Sequence, residues 1–141
     1  SYRLPSGVSV VGMVAYKVEN KGIVLAAKDA GNYTYEEAYN YSSPAGNFYV
    51  SSLTESESKT WICGSEEYYM NFILGSSGCG SSTSLNSMLN RAGCSPLKAT
   101  FYWTTTGQGI GYALWFSFVN GTKSYPGARV SKHAVRPYFI F

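Results

Sequence analysis

Apolar positions along this chain follow two rhythms, and the order in which they alternate sets the expected architecture. Residues 8–18 are β-branched and apolar, Glu19-Asn20-Lys21-Gly22 reads as a turn, and residues 23–27 return as a second strand, which predicts a hairpin. Glycines at 12 and 22 would allow a bulge and a positive-φ turn position. Thr34-Tyr35-Glu36-Glu37 then forms a capping-box pattern, with Thr34 as N-cap and Glu37 reaching back to its amide, and opens a short helix over 35–41. Residues 45–60 are polar and weakly periodic, with a short strand expected at 48–50 and a Ser/Glu-rich loop at 53–59. From Ser65 the rhythm is helical: Tyr69, Phe72 and Ile73 fall at i, i+3 and i+4, with Glu66 and Glu67 in the first turn, until Gly75 stops it. A Gly/Ser loop leads to a third helix over 83–92, where Leu85, Met88, Leu89 and Ala92 share a face and Gly93 follows as C′ residue. Pro96 bars further helix.

From about Ala99 the pattern is that of strands. Residues 100–141 hold three aromatic-rich runs separated by Gly, Asn and Pro, and Asn120-Gly121 between two of them is a strong hairpin signal. Tyr112, Leu114, Phe116 and Phe118 fall on one face of the middle run; Ala113, Trp115, Ser117 and Val119 fall on the other. Both faces carry large apolar groups, so one of them is expected to meet something besides the core. Tyr125, beside Pro126-Gly127, is expected on a turn or loop, where binding residues concentrate. Hairpin, helices and then strands make an α+β fold: short helices packed on small antiparallel sheets, in a single domain over 1–141. The chain opens on Ser1 rather than Met, and reads as a mature form or a piece of a longer surface protein.

Composition narrows the function classes. The chain is 45% hydrophobic and 16% aromatic, with 13 Tyr, against 13% charged residues, which excludes a disordered chain. Tyrosine suits both strands and recognition surfaces. The net charge of +3 is spread without a Lys/Arg cluster, so no nucleic-acid partner is expected, and no apolar run approaches the roughly 20 residues of a membrane span. Cys63, Cys79 and Cys94 show no zinc spacing beside the single His133, so neither a metal nor a cofactor is expected. An odd count leaves one thiol unpaired; Cys79 and Cys94 flank a helix and would bridge only in an oxidising compartment with suitable geometry. Cys63 with His133 is the one nucleophile–base pair of its kind available, and nothing in the sequence brings the two together. The adjacent glutamates read as helix caps and solvated faces, so no catalytic residue is assigned. A Cys-dependent enzyme is the remote alternative.

Several segments together resemble a known family. Residues 23–30 (Ile-Val-Leu-Ala-Ala-Lys-Asp-Ala) with Tyr33-Thr34-Tyr35-Glu36-Glu37-Ala38, then Leu85-Asn86, Ala92-Gly93, Phe101-Tyr102-Trp103-Thr104-Thr105-Thr106 and the closing Val135-Arg136-Pro137 with Phe141, resemble the Fibrobacter-type major paralogous domain family. Ile62-Cys63-Gly64 stands where that family carries Arg-Leu-Pro. The resemblance implies a C-type-lectin-like fold, extracellular, on a bacterial cell surface or a phage particle. Related lectin-like domains serve as ligand-binding ends of retroelement-diversified proteins. By that analogy the ligand-binding positions are Gln108, Ile110, Tyr112, Trp115, Ser117, Tyr125, Lys132 and His133. Trp115 reads either as an aromatic anchor or as a ring packed under a loop, and Arg136 as a scaffold residue whose guanidinium satisfies loop carbonyls. The sugar-binding Glu-Pro-Asn, Gln-Pro-Asp and Trp-Asn-Asp motifs are absent, and no Asp or Glu occurs from Thr100 onward, so calcium-dependent binding is disfavoured. The expected function is adhesin- or receptor-like binding of a protein or glycan on another cell or surface, or, alternatively, docking to a neighbouring subunit in a surface or pilus-tip assembly.

Overall fold

The first apolar run becomes β1 (Gly12–Val18), paired antiparallel with β2 (Lys21–Ala26), in a computed structural model that describes residues 10–44, 60–117 and 123–141. The strand expected at 48–50, the loop at 53–59 and the Asn120-Gly121 turn lie outside the described residues. The glycines of the first hairpin act differently from the expectation. Its turn places Glu19, not a glycine, at φ 57°, and the register shift falls between Val14 and Tyr16. Gly12 and Gly22 instead permit close approach: a Cβ at Gly12 would stand 2.6 Å from the Leu25 carbonyl oxygen and 3.0 Å from the Trp61 ring, and one at Gly22 would meet the Tyr16 carbonyl and the Phe141 ring.

β3 (Gly31–Tyr33) leads into α1 (Tyr35–Tyr39), whose capping box is formed: the Glu37 amide donates to Thr34 Oγ1 and the Thr34 amide donates to Glu37 Oε1. β4 (Ser42–Pro44) and β5 (Thr60–Ile62) follow. The segment read as an α-helix from Ser65 is a π-helix over Tyr68–Ile73, with the Leu74 amide donating five residues back to the Tyr69 carbonyl at 2.9 Å. The wide turn lets two adjacent pairs of bulky side chains pack at once. Tyr69 and Ile73 are buried, Tyr69 lies against Phe116 and Tyr138, and Phe72 lies edge-on to Tyr16. α2 (Ser82–Arg91) is capped by Ser81, buries Leu85 and Leu89, and is followed by Gly93 at φ 80°. Asn86 bonds both the amide and the carbonyl of Leu97, fixing the exit from this helix.

The C-terminal half supplies β6 (Phe101–Gly107), β7 (Tyr112–Ser117), β8 (Lys123–Ala128), β9 (His133–Val135) and β10 (Tyr138–Ile140). Two five-stranded sheets result, ordered β1-β2-β10-β5-β4 and β3-β9-β6-β7-β8, antiparallel except where β9 runs parallel to β6. The fold is therefore mixed α+β, mostly sheet with a few short helices. Tyr125 belongs to β8, its backbone opposite Trp115, and not to a turn. The Pro-Gly pair that suggested a turn is compatible with a strand because β8 is an edge, where proline's missing N–H breaks no ladder.

The second sheet is covered on both faces. Tyr102, Phe116 and Ala134 join Ile23, Leu25, Ile73, Leu85 and Tyr138 in the larger core, while Trp103, Ala113 and Val135 pack with Tyr35, Ala38 and Cys63. This accounts for the two-sided apolar pattern of β7. Between β9 and β10 the chain crosses from one sheet to the other at Arg136-Pro137. Arg136 is 1% exposed and pairs with Asp29 at 2.8 Å while donating to the carbonyls of Ala26, Ser95 and Pro96. The scaffold role read from the sequence is the one it has.

Candidate functional site

Three segments distant in sequence meet at one end of the second sheet, and Arg129 ties them together. The β6–β7 turn needs glycine at Gly109 (φ 71°) and Gly111 (φ 79°), left-handed positions that other residues adopt rarely. Arg129 Nε donates to the Tyr112 carbonyl at 2.8 Å and Nη2 donates to the Gly109 carbonyl at 3.2 Å. Its own amide donates to the Gly111 carbonyl, and its carbonyl accepts from the Tyr35 amide at the start of α1. The guanidinium carbon sits 4.6 Å from the centre of the Tyr35 ring, a cation–π geometry, and the Tyr35 hydroxyl donates to the Thr105 carbonyl. Burial pushes the pKa of that hydroxyl up, and the Arg129 charge works against the rise.

Beside this junction lies a groove of about 680 Å³, bounded by Thr34, Tyr35, Glu36, Tyr39 and Asn40 on the α1 side and by Arg129 and Val130 after β8. Its volume is in the range of small-molecule and peptide sites. Two exposed apolar side chains line it, Val130 (85% exposed) and Tyr39 (60%), and beyond Arg129, on the backbone that it grips, Ile110 is 99% exposed and Tyr112, the first residue of β7, 53%. The other large hydrophobic side chains that stand exposed among the described residues, Val11, Val14 and Val18, lie on or beside β1.

The structure separates the positions expected to bind ligand. Gln108, Ile110 and Tyr112 stand exposed on the β6–β7 turn, and exposed Lys132 lies close enough to Glu37 for its charge to help lower that carboxyl's pKa, after the hydrogen bonds from Thr34. Ser117 is buried and cannot present itself to a ligand. The Tyr125 side chain lies outside what the structure describes. Trp115 and His133 form part of a cluster: the indole stacks on Phe101 (4.6 Å, 18°), meets His133 edge-on (4.2 Å, 74°) and leans on Trp103 (5.7 Å). A Cβ at Gly127 would overlap the edge of this indole, so Trp115 lies across the neighbouring strand β8. Trp115 Nε1 and His133 Nε2 are buried without a hydrogen-bond partner. Burial also holds the His133 pKa below its ordinary value. Arg129, Val130, Tyr39 and the groove face of α1 stand outside the expected binding positions; their one visible signal is three tyrosines, at 35, 39 and 41, too many for one buried face of the helix expected over 35–41.

Cys63 is no activated nucleophile. Its thiol is buried, donates to the Trp103 carbonyl at 3.3 Å, and has its pKa pushed up to about 12 by that burial. Cys79 and Cys94 are free buried thiols, not a bridge. Among the described residues, no three His, Cys, Asp or Glu side chains are grouped to hold a metal ion, and no helix is long and apolar enough to cross a membrane. No protein-family model matches the chain, and no curated protein matches it.

Proposed function

We propose that this chain is a non-catalytic, C-type-lectin-like binding domain whose ligand surface is the groove between α1 and the β8–β9 connection, rimmed by the β6–β7 turn. The observation that carries this reading is the gathering of Tyr39, Ile110, Tyr112 and Val130 around one pinned arginine. Exposed apolar patches that a fold does not need for its own core mark interaction sites. The lectin-like assignment is supported by the α+β architecture and by the scaffold use of the segments that carry the resemblance: Trp103 and Arg136 are buried and hydrogen-bonded inside the fold. Placement outside a bacterium or on a phage particle rests on that resemblance.

Gln108, Ile110, Tyr112 and Lys132 are the ligand-facing positions in this proposal, while Trp115 and His133 pack on Phe101 and Trp103 within the second sheet. The test is a double variant, Ile110→Ser with Val130→Ser, compared with wild type on arrays of bacterial glycans and surface proteins. Both side chains are almost wholly exposed, so the melting temperature is expected to hold within about 2 °C while binding falls at least about tenfold. Equal array binding by both proteins sinks the proposal. A second reading, an assembly subunit, is favoured by Val14 and Val18 standing exposed on β1, the edge of the first sheet, where a neighbouring strand can add. Light scattering on the chain alone and with co-purified surface proteins separates the two.

A further inference from the structure

We infer that the groove takes a protein segment in which an Asp or Glu carboxylate pairs with Arg129 while flanking apolar side chains cover Ile110, Val130 and Tyr39. This rests on the binding-domain reading above and gives its ligand a chemical class. A guanidinium has five N–H donors in a fixed fork. In Arg129 one Nε and one Nη2 donor are engaged with the Tyr112 and Gly109 carbonyls, and one face of the group lies on the Tyr35 ring. Among the described residues no carboxylate forms an ion pair with it. The charge is thus held in place by backbone acceptors while, among the described residues, its other donors meet no partner, the preorganised state that favours a charge-assisted bond to a carboxylate.

The apolar rim decides between classes of partner. Ile110 and Val130 are aliphatic and almost wholly exposed, and they offer hydrophobic area without an aromatic face. Covering them requires apolar groups on the ligand, which a protein segment supplies and the hydroxyl-covered face of a sugar does not. The tyrosines and the arginine are also residue types enriched at the centres of protein interfaces. Glu36 lines the same groove and Glu37 lies on the same short helix, with Lys132 acting on Glu37. The Glu36 carboxylate disfavours an acidic ligand group on the α1 side and leaves the Arg129 side for it.

The probe is a phage-displayed library of random dodecapeptides panned against the full chain, followed by titration of the tightest synthetic peptide. Selected peptides are expected to carry an Asp or Glu beside apolar residues, and its replacement by Asn or Gln in the peptide to weaken binding about tenfold. Ile110→Ser is expected to weaken it about tenfold as well, and affinity should fall as NaCl rises from about 50 to 500 mM. Arg129 also holds the turn, so removing the charge from the peptide keeps the test independent of folding. Panning that yields no binder, binders without acidic enrichment, or an acid-to-amide change without effect overturns the inference. So does an oligosaccharide that binds and is lost in Ile110→Ser, or self-association through the groove, although the binding-domain reading survives the sugar result. If neither peptides nor glycans depend on Ile110 and Val130, that reading falls too.

Discussion

Trp115 and Gly127 provide a direct test of how the second sheet supports the candidate site. Trp115 is half-buried, stacked on Phe101, in contact with His133 and Trp103, and seated across Gly127. Replacing a fully buried Trp by Ala costs about 3–5 kcal/mol, and the exposed part of this ring lowers that to roughly 2–3 kcal/mol. Of this, the stacked Phe101 pair supplies about 0.5–1.5 kcal/mol. For a chain of this length the melting temperature is expected to fall by roughly 6–12 °C. An anchor that only faced ligand would leave it unchanged.

Gly127→Ala gives the sharper half of the experiment. The new methyl group would occupy the indole's place, so in wild type it overpacks the site and costs about 1–3 kcal/mol. With Trp115→Ala the obstruction is gone, and the same substitution becomes neutral within about 0.5 kcal/mol, since Gly127 is not in the left-handed region and alanine stiffens the unfolded chain. The coupling between the two sites is thus expected to be about 1–3 kcal/mol. Urea unfolding of the four proteins, followed by far-UV circular dichroism, measures it. A cost for Gly127→Ala that is equal in both backgrounds, or a shift under about 2 °C for Trp115→Ala, refutes the packing argument and returns Trp115 to the ligand surface.

Two further expectations concern the fold. Arg136→Met takes the guanidinium from three carbonyls and from Asp29, whose carboxylate keeps the Tyr102 hydroxyl but loses its buried counter-charge, a loss of about 3–5 kcal/mol out of a total of about 5–15 kcal/mol; a melting temperature lowered by less than about 3 °C contradicts this. Burial holds the His133 pKa below 6.5, so the unfolded chain takes up this proton first: the contribution is fully present above about pH 6.5 and is lost as pH falls toward the folded pKa. His133 is the single histidine, so His133→Gln should flatten the urea midpoint between about pH 6.5 and 5, and an unchanged slope in the variant argues against it.

What the sequence disclosed depended on how far apart the interacting residues lie. The Thr34–Glu37 capping box, the Leu85/Leu89 face of α2 and the left-handed Gly93 are all set within a few residues, and they formed as read. The π-helix was misread because Tyr68, Tyr69, Phe72 and Ile73 fit α-helical spacing equally well; only their separate partners on other elements favour the wider turn. Pro126-Gly127 looked like a turn because neither the edge position of β8 nor the indole lying over Gly127 is visible locally. Arg129 was missed for the same reason: its acceptors lie 17 and 20 residues away, on a turn whose own signal was only glycine. Arg136 was read as scaffold from its place before proline, although its partners at Asp29, Ser95 and Pro96 were beyond reach.

The covered sheet and the exposed turns divide six of the eight expected binding positions by physics. Past the exposed Tyr112 at its start, a residue on β7, like one on β9, answers to packing on whichever face it points to, because helices and strands close both sides of that sheet. Ser117, Trp115 and His133 are held to those constraints, and changing them alters the packing of the sheet before it alters any ligand contact. Gln108, Ile110 and Lys132 lie on connections whose shape is fixed by backbone bonds to Arg129 and by glycine conformations, not by their own side chains. Side-chain identity there is free of the fold. On the binding reading, specificity can therefore change at the turn and the β8–β9 connection while the packed sheet stays constant, and Arg129 must stay with the sheet, since it holds the turn in the shape that presents the others.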